Sequence, residues 1–166
     1  MNGTGDTVLV AGIGNLFLTD DGFGPEVARR LSAEELPKGV RVVDYGIRGM
    51  HLAYDLLDGY SGLVIVDALP GKGQPGDLVV LAIDEDDLGE GEFDAHGMAP
   101  VAVLASLGQL GGKLPPTFLV GCIPGDVRDG IGLSAPVEAA VDPAVRQVFE
   151  VLHEQFGRTR RAEIRH

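Results

Sequence analysis

One cysteine, Cys122, occurs among 166 residues, so no internal disulfide can form and a reducing compartment suits the chain. Its neighbours Phe118-Leu119-Val120-Gly121 are apolar, which places the thiol in a buried strand as a packing residue. Positive charge is also scarce. Thirteen Lys and Arg face twenty-five Asp and Glu, a net charge of −12, and such a surface repels a phosphate backbone, excluding nucleic acid as a partner. No stretch of apolar residues is long enough to span a bilayer, and Met1-Asn2-Gly3-Thr4-Gly5-Asp6 has neither the basic start nor the apolar stretch of a signal peptide. The expectation is a cytoplasmic protein with no membrane partner. His-rich and Cys-rich tracts, the usual devices of metal storage, are absent as well.

What is present is apolar residues, 45% of the chain, with 25 Gly and 10 Pro set between the apolar runs. That composition gives one core with many tight turns. One domain is expected over residues 1–157, followed by a basic tail, 158–166, that carries Arg158, Arg160, Arg161 and Arg165. Seven carboxylates (Asp84, Glu85, Asp86, Asp87, Glu90, Glu92, Asp94) form an acidic loop without a basic residue, which reads as a solvated segment.

Thr7-Val8-Leu9-Val10-Ala11 is a β-branched, apolar run closed by Gly12, as in a strand buried on both faces of a parallel sheet. A helix follows from Pro25 to Leu36, with Val27, Ala28, Leu31 and Leu36 at helical spacing. Val40 to Asp44 is a second strand, Met50 to Leu57 a helix, and Gly62 to Val66 a third strand. Leu78 to Ile83 and Thr117 to Cys122 read as further strands, Pro100 to Leu110 as a helix, and Asp142 to Phe156 as a closing amphipathic helix. Strands alternating with helices predict an α/β fold: a three-layer α/β/α sandwich around a mostly parallel, twisted sheet.

Ligands of such sheets bind beyond the carboxyl ends of the strands. Strand one runs into Gly12-Ile13-Gly14-Asn15 and then Asp20-Asp21-Gly22, strand two ends at Asp44, and strand three ends at Asp67. A dinucleotide site fails because Phe17 holds the place of the third glycine and two acids would oppose a pyrophosphate. Carboxylates converging on one cleft repel one another, and a bound cation resolves that repulsion economically. His96, just after the acidic loop and at the start of a helix, adds an imidazole within reach of the same strand ends. Two carboxylates and one imidazole suit a divalent transition metal and leave coordination positions open. His51, His153 and His166 are read as structural or exposed.

These residues, in this order, resemble the hydrogenase maturation proteases, endopeptidases that trim the large subunit of nickel-iron hydrogenases after nickel insertion. The resemblance covers nearly the whole chain. It is carried by Gly12-Ile13-Gly14-Asn15, Asp20-Asp21-Gly22-Phe23-Gly24 and Asp44-Tyr45-Gly46-Ile47-Arg48-Gly49. Val64-Ile65-Val66-Asp67-Ala68, His96-Gly97, Val120-Gly121-Cys122-Ile123-Pro124 and Gly130-Ile131-Gly132-Leu133-Ser134 continue it. The resemblance implies metal contacts from Asp21, Asp67 and His96 and a part for Asp44 in cleavage. The family often has Glu where this chain has Asp21, so the choice between Asp20 and Asp21 as ligand stays open. It further implies that nickel is carried by the hydrogenase large-subunit precursor, with other divalent transition metals as stand-ins, and acts as a recognition element. The competing readings are a metal-dependent α/β hydrolase or peptidase with another substrate, and a nickel carrier that does not cleave.

Overall fold

The computed structural model describes residues 6–47, 49–84, 104, 107–108 and 110–159. The chain begins with β1 (Val8–Ile13), whose six residues are all buried. A 3₁₀ turn over Thr19–Gly22 leads into α1 (Phe23–Ser32). Then come β2 (Val40–Gly46), α2 (Gly49–Leu56), β3 (Gly62–Ala68), β4 (Leu78–Ile83), β5 (Thr117–Cys122) and α3 (Ala135–Phe156). The five strands form one sheet in the order β2-β1-β3-β5-β4. Neighbours are parallel throughout except β4, which runs antiparallel to β5 at the edge. The expected mostly parallel α/β sandwich is the fold observed.

Alternation along the buried strands divides the core in two. Val8, Val10, Val64, Val66 and Val120 face one way and pack with Phe23, Val27 and Leu31 of α1 and Val141, Val148 and Leu152 of α3. Leu9, Ala11, Leu63, Ile65 and Leu119 face the other way against Leu52, Ala53 and Leu56 of α2 and against Leu104 and Leu107. Those last two are helical and buried, while the rest of the helix expected from Pro100 to Leu110 lies largely outside the described residues. Among the described residues no helix is long and apolar enough to cross a membrane.

One boundary differs from expectation. The closing helix starts at Ala135, seven residues before Asp142, and passes through Pro143. Proline in a helix interior removes one hydrogen bond and usually ends the element. Here Val137, Ala140, Val141, Ala144 and Val145 form a continuous buried stripe across it, and that packing holds the helix together where local preference would break it. The helix closes on Gly157 in the left-handed conformation, φ 65°, whose N–H reaches the His153 carbonyl, a helix ending that glycine favours. Arg158 next to it donates to the carbonyls of Phe156 and Asp6, tying the chain's last described turn to its start.

Two glycines let α1 press against the sheet. A Cβ on Gly24 would lie 2.2 Å from the Ile13 carbonyl oxygen and 2.4 Å from that of Val66, and one on Gly12 would lie 2.6 Å from the Gly24 oxygen. Gly24→Ala is therefore expected to destabilise the fold by about 1–3 kcal/mol through forced backbone shifts, read as a lower urea midpoint with an unchanged slope. An unchanged midpoint would show that the helix can withdraw freely. Cys122 is fully buried and burial pushes its thiol pKa up to about 11. Alkylation at neutral pH is accordingly expected only upon unfolding, and rapid labelling of the native protein, seen by intact mass, would contradict that placement.

Candidate functional site

The carboxyl ends of β1, β2 and β3 lie side by side because of the parallel register. Gly12 is level with Asp44 on one side and with Val66 on the other, with a bulge that moves Ile13 opposite Gly46. Asp67 stands one residue beyond Val66, so its backbone is about 10 Å, two strand spacings, from that of Asp44. Between them the Gly14 N–H donates to the Gly46 carbonyl at 3.0 Å. A Cβ on Gly14 would strike the Asp21 carbonyl oxygen at 1.9 Å. Only a residue without a side chain leaves the 3₁₀ turn room to fold down over the strand ends.

That turn gives its two acids different tasks. Asp20 is fully buried. Its Oδ1 accepts the Ser134 N–H at 2.6 Å. Its Oδ2 accepts the N–H groups of Gly125 and Asp126 and the Ser134 hydroxyl, at 2.8, 2.9 and 2.7 Å. Burial alone pushes the pKa up, but these bonds outweigh it and hold the group below the usual carboxylate value, because each stabilises the charged form. Both of its oxygens are thus occupied by the protein.

Asp21 is half-buried, and its Oδ2 accepts the Asn15 N–H at 2.9 Å. Its charge is felt by Asp67, which is 6% exposed. Burial, and after it the Asp21 charge, raise the Asp67 pKa well above the ordinary carboxylate value, with the Ala68 N–H opposing weakly. Asp67 is thus a buried acid near enough to Asp21 to feel its charge, and the donor chemistry of two carboxylates fits a cation that neutralises both. Of the two neighbouring acids left open by the sequence, the geometry favours Asp21 as the residue with a carboxylate to offer. His96 lies outside the described residues. Among the described residues no group of three or more His, Cys, Asp or Glu is assembled that could hold a metal; of the expected set, Asp21 and Asp67 are linked by the influence of one charge on the other.

Asp44 is exposed and its Oδ1 accepts the Gly46 N–H at 2.8 Å. It borders two clefts. One, of about 210 Å³, has Asn15, Leu16, Phe17 and Ile47 in its walls; the other, of about 390 Å³, has Tyr45, His51, Tyr54 and Asp55. The Tyr45 hydroxyl donates to Asp55 at 2.6 Å. His51, read from sequence as structural or exposed, is exposed in the first turn of α2, where it shares a cleft wall with Asp44. His153 lies at the other end of the chain, its Nδ1 2.6 Å from Thr159 Oγ1. Around the strand ends Leu16, Phe17, Ile47 and Ile131 are apolar and exposed, Phe17 by 67% and Ile131 by 78%.

Fold and site together define a one-sheet α/β protein with acidic residues gathered at the ends of its parallel strands. Comparison with known proteins specifies the class: the family profile described as hydrogenase maturation protease matches residues 25–151, and the chain belongs to that family of peptidases. It is 34% identical over 151 residues to the hydrogenase 2 maturation protease of Escherichia coli strain K12, covering 89% of this chain and 91% of that one. The solved structure of the hydrogenase maturating endopeptidase HybD from E. coli superposes with a TM-score of 0.78 at 31% identity, over 95% of this chain and 99% of that one. The [NiFe] hydrogenase maturation protease HybD from Thermococcus kodakarensis gives 0.70 at 27% identity, over 87% and 98%.

A raised carboxylate pKa makes the folded protein hold its proton after the unfolded chain has released it, so stability falls as pH rises from the ordinary carboxylate range. Metal-free Asp67→Asn is thus expected to melt higher than the wild type at pH 7, by roughly 2–4 °C for each kcal/mol of burial cost and repulsion relieved. The two should converge toward about pH 4, where free carboxylates protonate. A variant less stable than wild type at pH 7, in the presence of chelator, would show that Asp67 is held as a satisfied anion.

Proposed function

We propose that this protein is the endopeptidase that removes the C-terminal extension of a nickel-iron hydrogenase large-subunit precursor after nickel insertion. Its place of action is the cytoplasm, with nickel the feature by which the loaded precursor is recognised. The observation that carries this reading is the buried Asp67, which feels the Asp21 charge and stands across β1, two strand spacings from the exposed Asp44. Membership of the family supports the reaction class, and the Thermococcus relative described as a [NiFe] hydrogenase maturation protease supports the substrate.

In this reading Asp21, Asp67 and His96 contact the nickel that the precursor carries. Three protein ligands leave positions for the groups that already hold the ion in the precursor, so a loaded precursor binds and an empty one does not. With the metal on the Asp21 side, the precursor's chain crosses the Gly14 surface and presents its scissile bond near Asp44. Asp44 acts there as general base, taking a proton from the water that attacks the carbonyl. The closed geometry over Gly14 keeps the two acids and the base at fixed separation, which is what positions one peptide bond out of many.

The test is incubation with a large-subunit precursor, nickel-loaded or empty, followed by intact mass. Loss of a C-terminal peptide only from the loaded precursor is expected, with at least a hundredfold slower cleavage in Asp44→Asn and loss of recognition in Asp21→Ala or His96→Ala. Cleavage of the empty precursor at the same rate would point instead to a self-contained hydrolase. Wild-type rates in Asp44→Asn would remove that residue from the chemistry.

A further inference from the structure

We infer that Asp20 is the positioning residue of this metal seat: its buried carboxylate, gripped by residues 125–134, fixes the turn that aims Asp21 at Asp67. The inference rests on the reading of Asp21 and Asp67 as metal-contacting, and it concerns how that pair is set rather than what it binds.

Asp20 is withheld from a ligand, because it is fully buried and its two oxygens accept four hydrogen bonds from Gly125, Asp126 and Ser134. The side chains of consecutive residues in a 3₁₀ turn diverge by about a third of a revolution. Anchoring Asp20 on one side therefore sets the direction of Asp21 on the next. The turn would not choose this shape unaided. Thr19 has φ 42°, a left-handed conformation that a β-branched residue adopts only when its surroundings impose it.

Those surroundings are the same loop. The Thr19 N–H donates to the Gly130 carbonyl at 2.9 Å, its hydroxyl donates to the Asp126 carbonyl at 2.7 Å, and it accepts the Arg128 N–H at 3.1 Å. The Asp20 N–H donates to the Asp126 carbonyl at 3.0 Å, and the Gly130 N–H returns a bond to the Phe17 carbonyl at 2.9 Å. Asn15 completes the hold on Asp21 from the opposite side.

The requirement is for a carboxylate. Donors converge on both oxygens, so an amide in its place would turn an NH₂ toward at least one N–H and break the set. Ser134 adds a further sign that the arrangement is built for Asp20. It is the N-cap residue of α3, yet its side chain makes no capping bond; its hydroxyl goes to Asp20 instead.

The test is calorimetric titration of the purified full-length protein with Ni(II), alongside thermal melts, for the wild type, Asp20→Asn, Asp21→Asn and the double variant. Asp20→Asn is expected to stay folded, to melt lower and to bind nickel at least tenfold more weakly. In the Asp21→Asn background the same change should lower the melting temperature again yet add little further loss of nickel affinity, because it acts through Asp21. Thr19→Val and Ser134→Ala each remove only part of the hold and should show smaller losses of the same kind, which also serves if Asp20→Asn fails to fold. Wild-type nickel affinity in a folded Asp20→Asn, or in both milder variants, overturns the inference, as do losses that add fully in the double variant. A wild type that binds no nickel overturns both the metal reading and this inference, whereas one that binds nickel but cuts no precursor overturns the proposed function alone.

Discussion

A buried carboxylate with no ion-pair partner among the described residues is the constraint around which this end of the molecule is organised. Asp20 is surrounded by hydrogen-bond donors alone, and one of them, the Ser134 N–H, belongs to the N-cap residue of the 22-residue α3. A carboxylate there faces the positive end of the helix dipole and accepts groups that the helix itself cannot satisfy. The segment that joins β5 to α3 is thereby bound to the segment that joins β1 to α1, two stretches more than a hundred residues apart in sequence. Without that link, two exposed, glycine-rich loops would be free to separate, and the acids carried on one of them would lose their common direction.

The sheet supplies the other half of the frame. Because β1, β2 and β3 are parallel and nearly in register, their carboxyl ends arrive at the same level and place Asp44 and Asp67 on opposite sides of β1. Close approach at Gly12, Gly14 and Gly24 then lets the turn and α1 sit directly on those ends. The acids are consequently held by backbone packing and not by long, flexible side chains, which keeps their separations fixed.

Much of this could be read in the sequence. Val8 to Ala11 and Leu63 to Val66 are apolar without interruption because both faces of the central strands are covered, and that pattern gave the parallel sheet, which in turn gave the strand ends where the acids lie. The antiparallel direction of β4 was not legible, since Leu78 to Ile83 reads the same whichever way it runs. The start of α3 at Ala135 was not legible either, since the buried stripe that carries the helix through Pro143 shows only once α3 is packed. Asp20 and Asp21 are adjacent and chemically identical, so their division of labour depends on donors from residues 125–134 that no local pattern reveals. That His51 and Asp44 share a cleft wall follows from the tight β2 to α2 connection. The same connection places Tyr45 against Asp55.

The apolar rim at the strand ends has a colloidal consequence. Phe17, Ile47 and Ile131 are the kind of exposed surface that draws copies of a protein together, yet each copy carries a charge of −12, and like-charged copies keep their distance in dilute buffer. The range of that repulsion shrinks from about 10 Å at 0.1 M salt to about 3 Å at 1 M. The electrostatics of the molecule as a whole therefore oppose contact between copies through this rim, and concentrated salt removes that opposition at the very face that carries the acids.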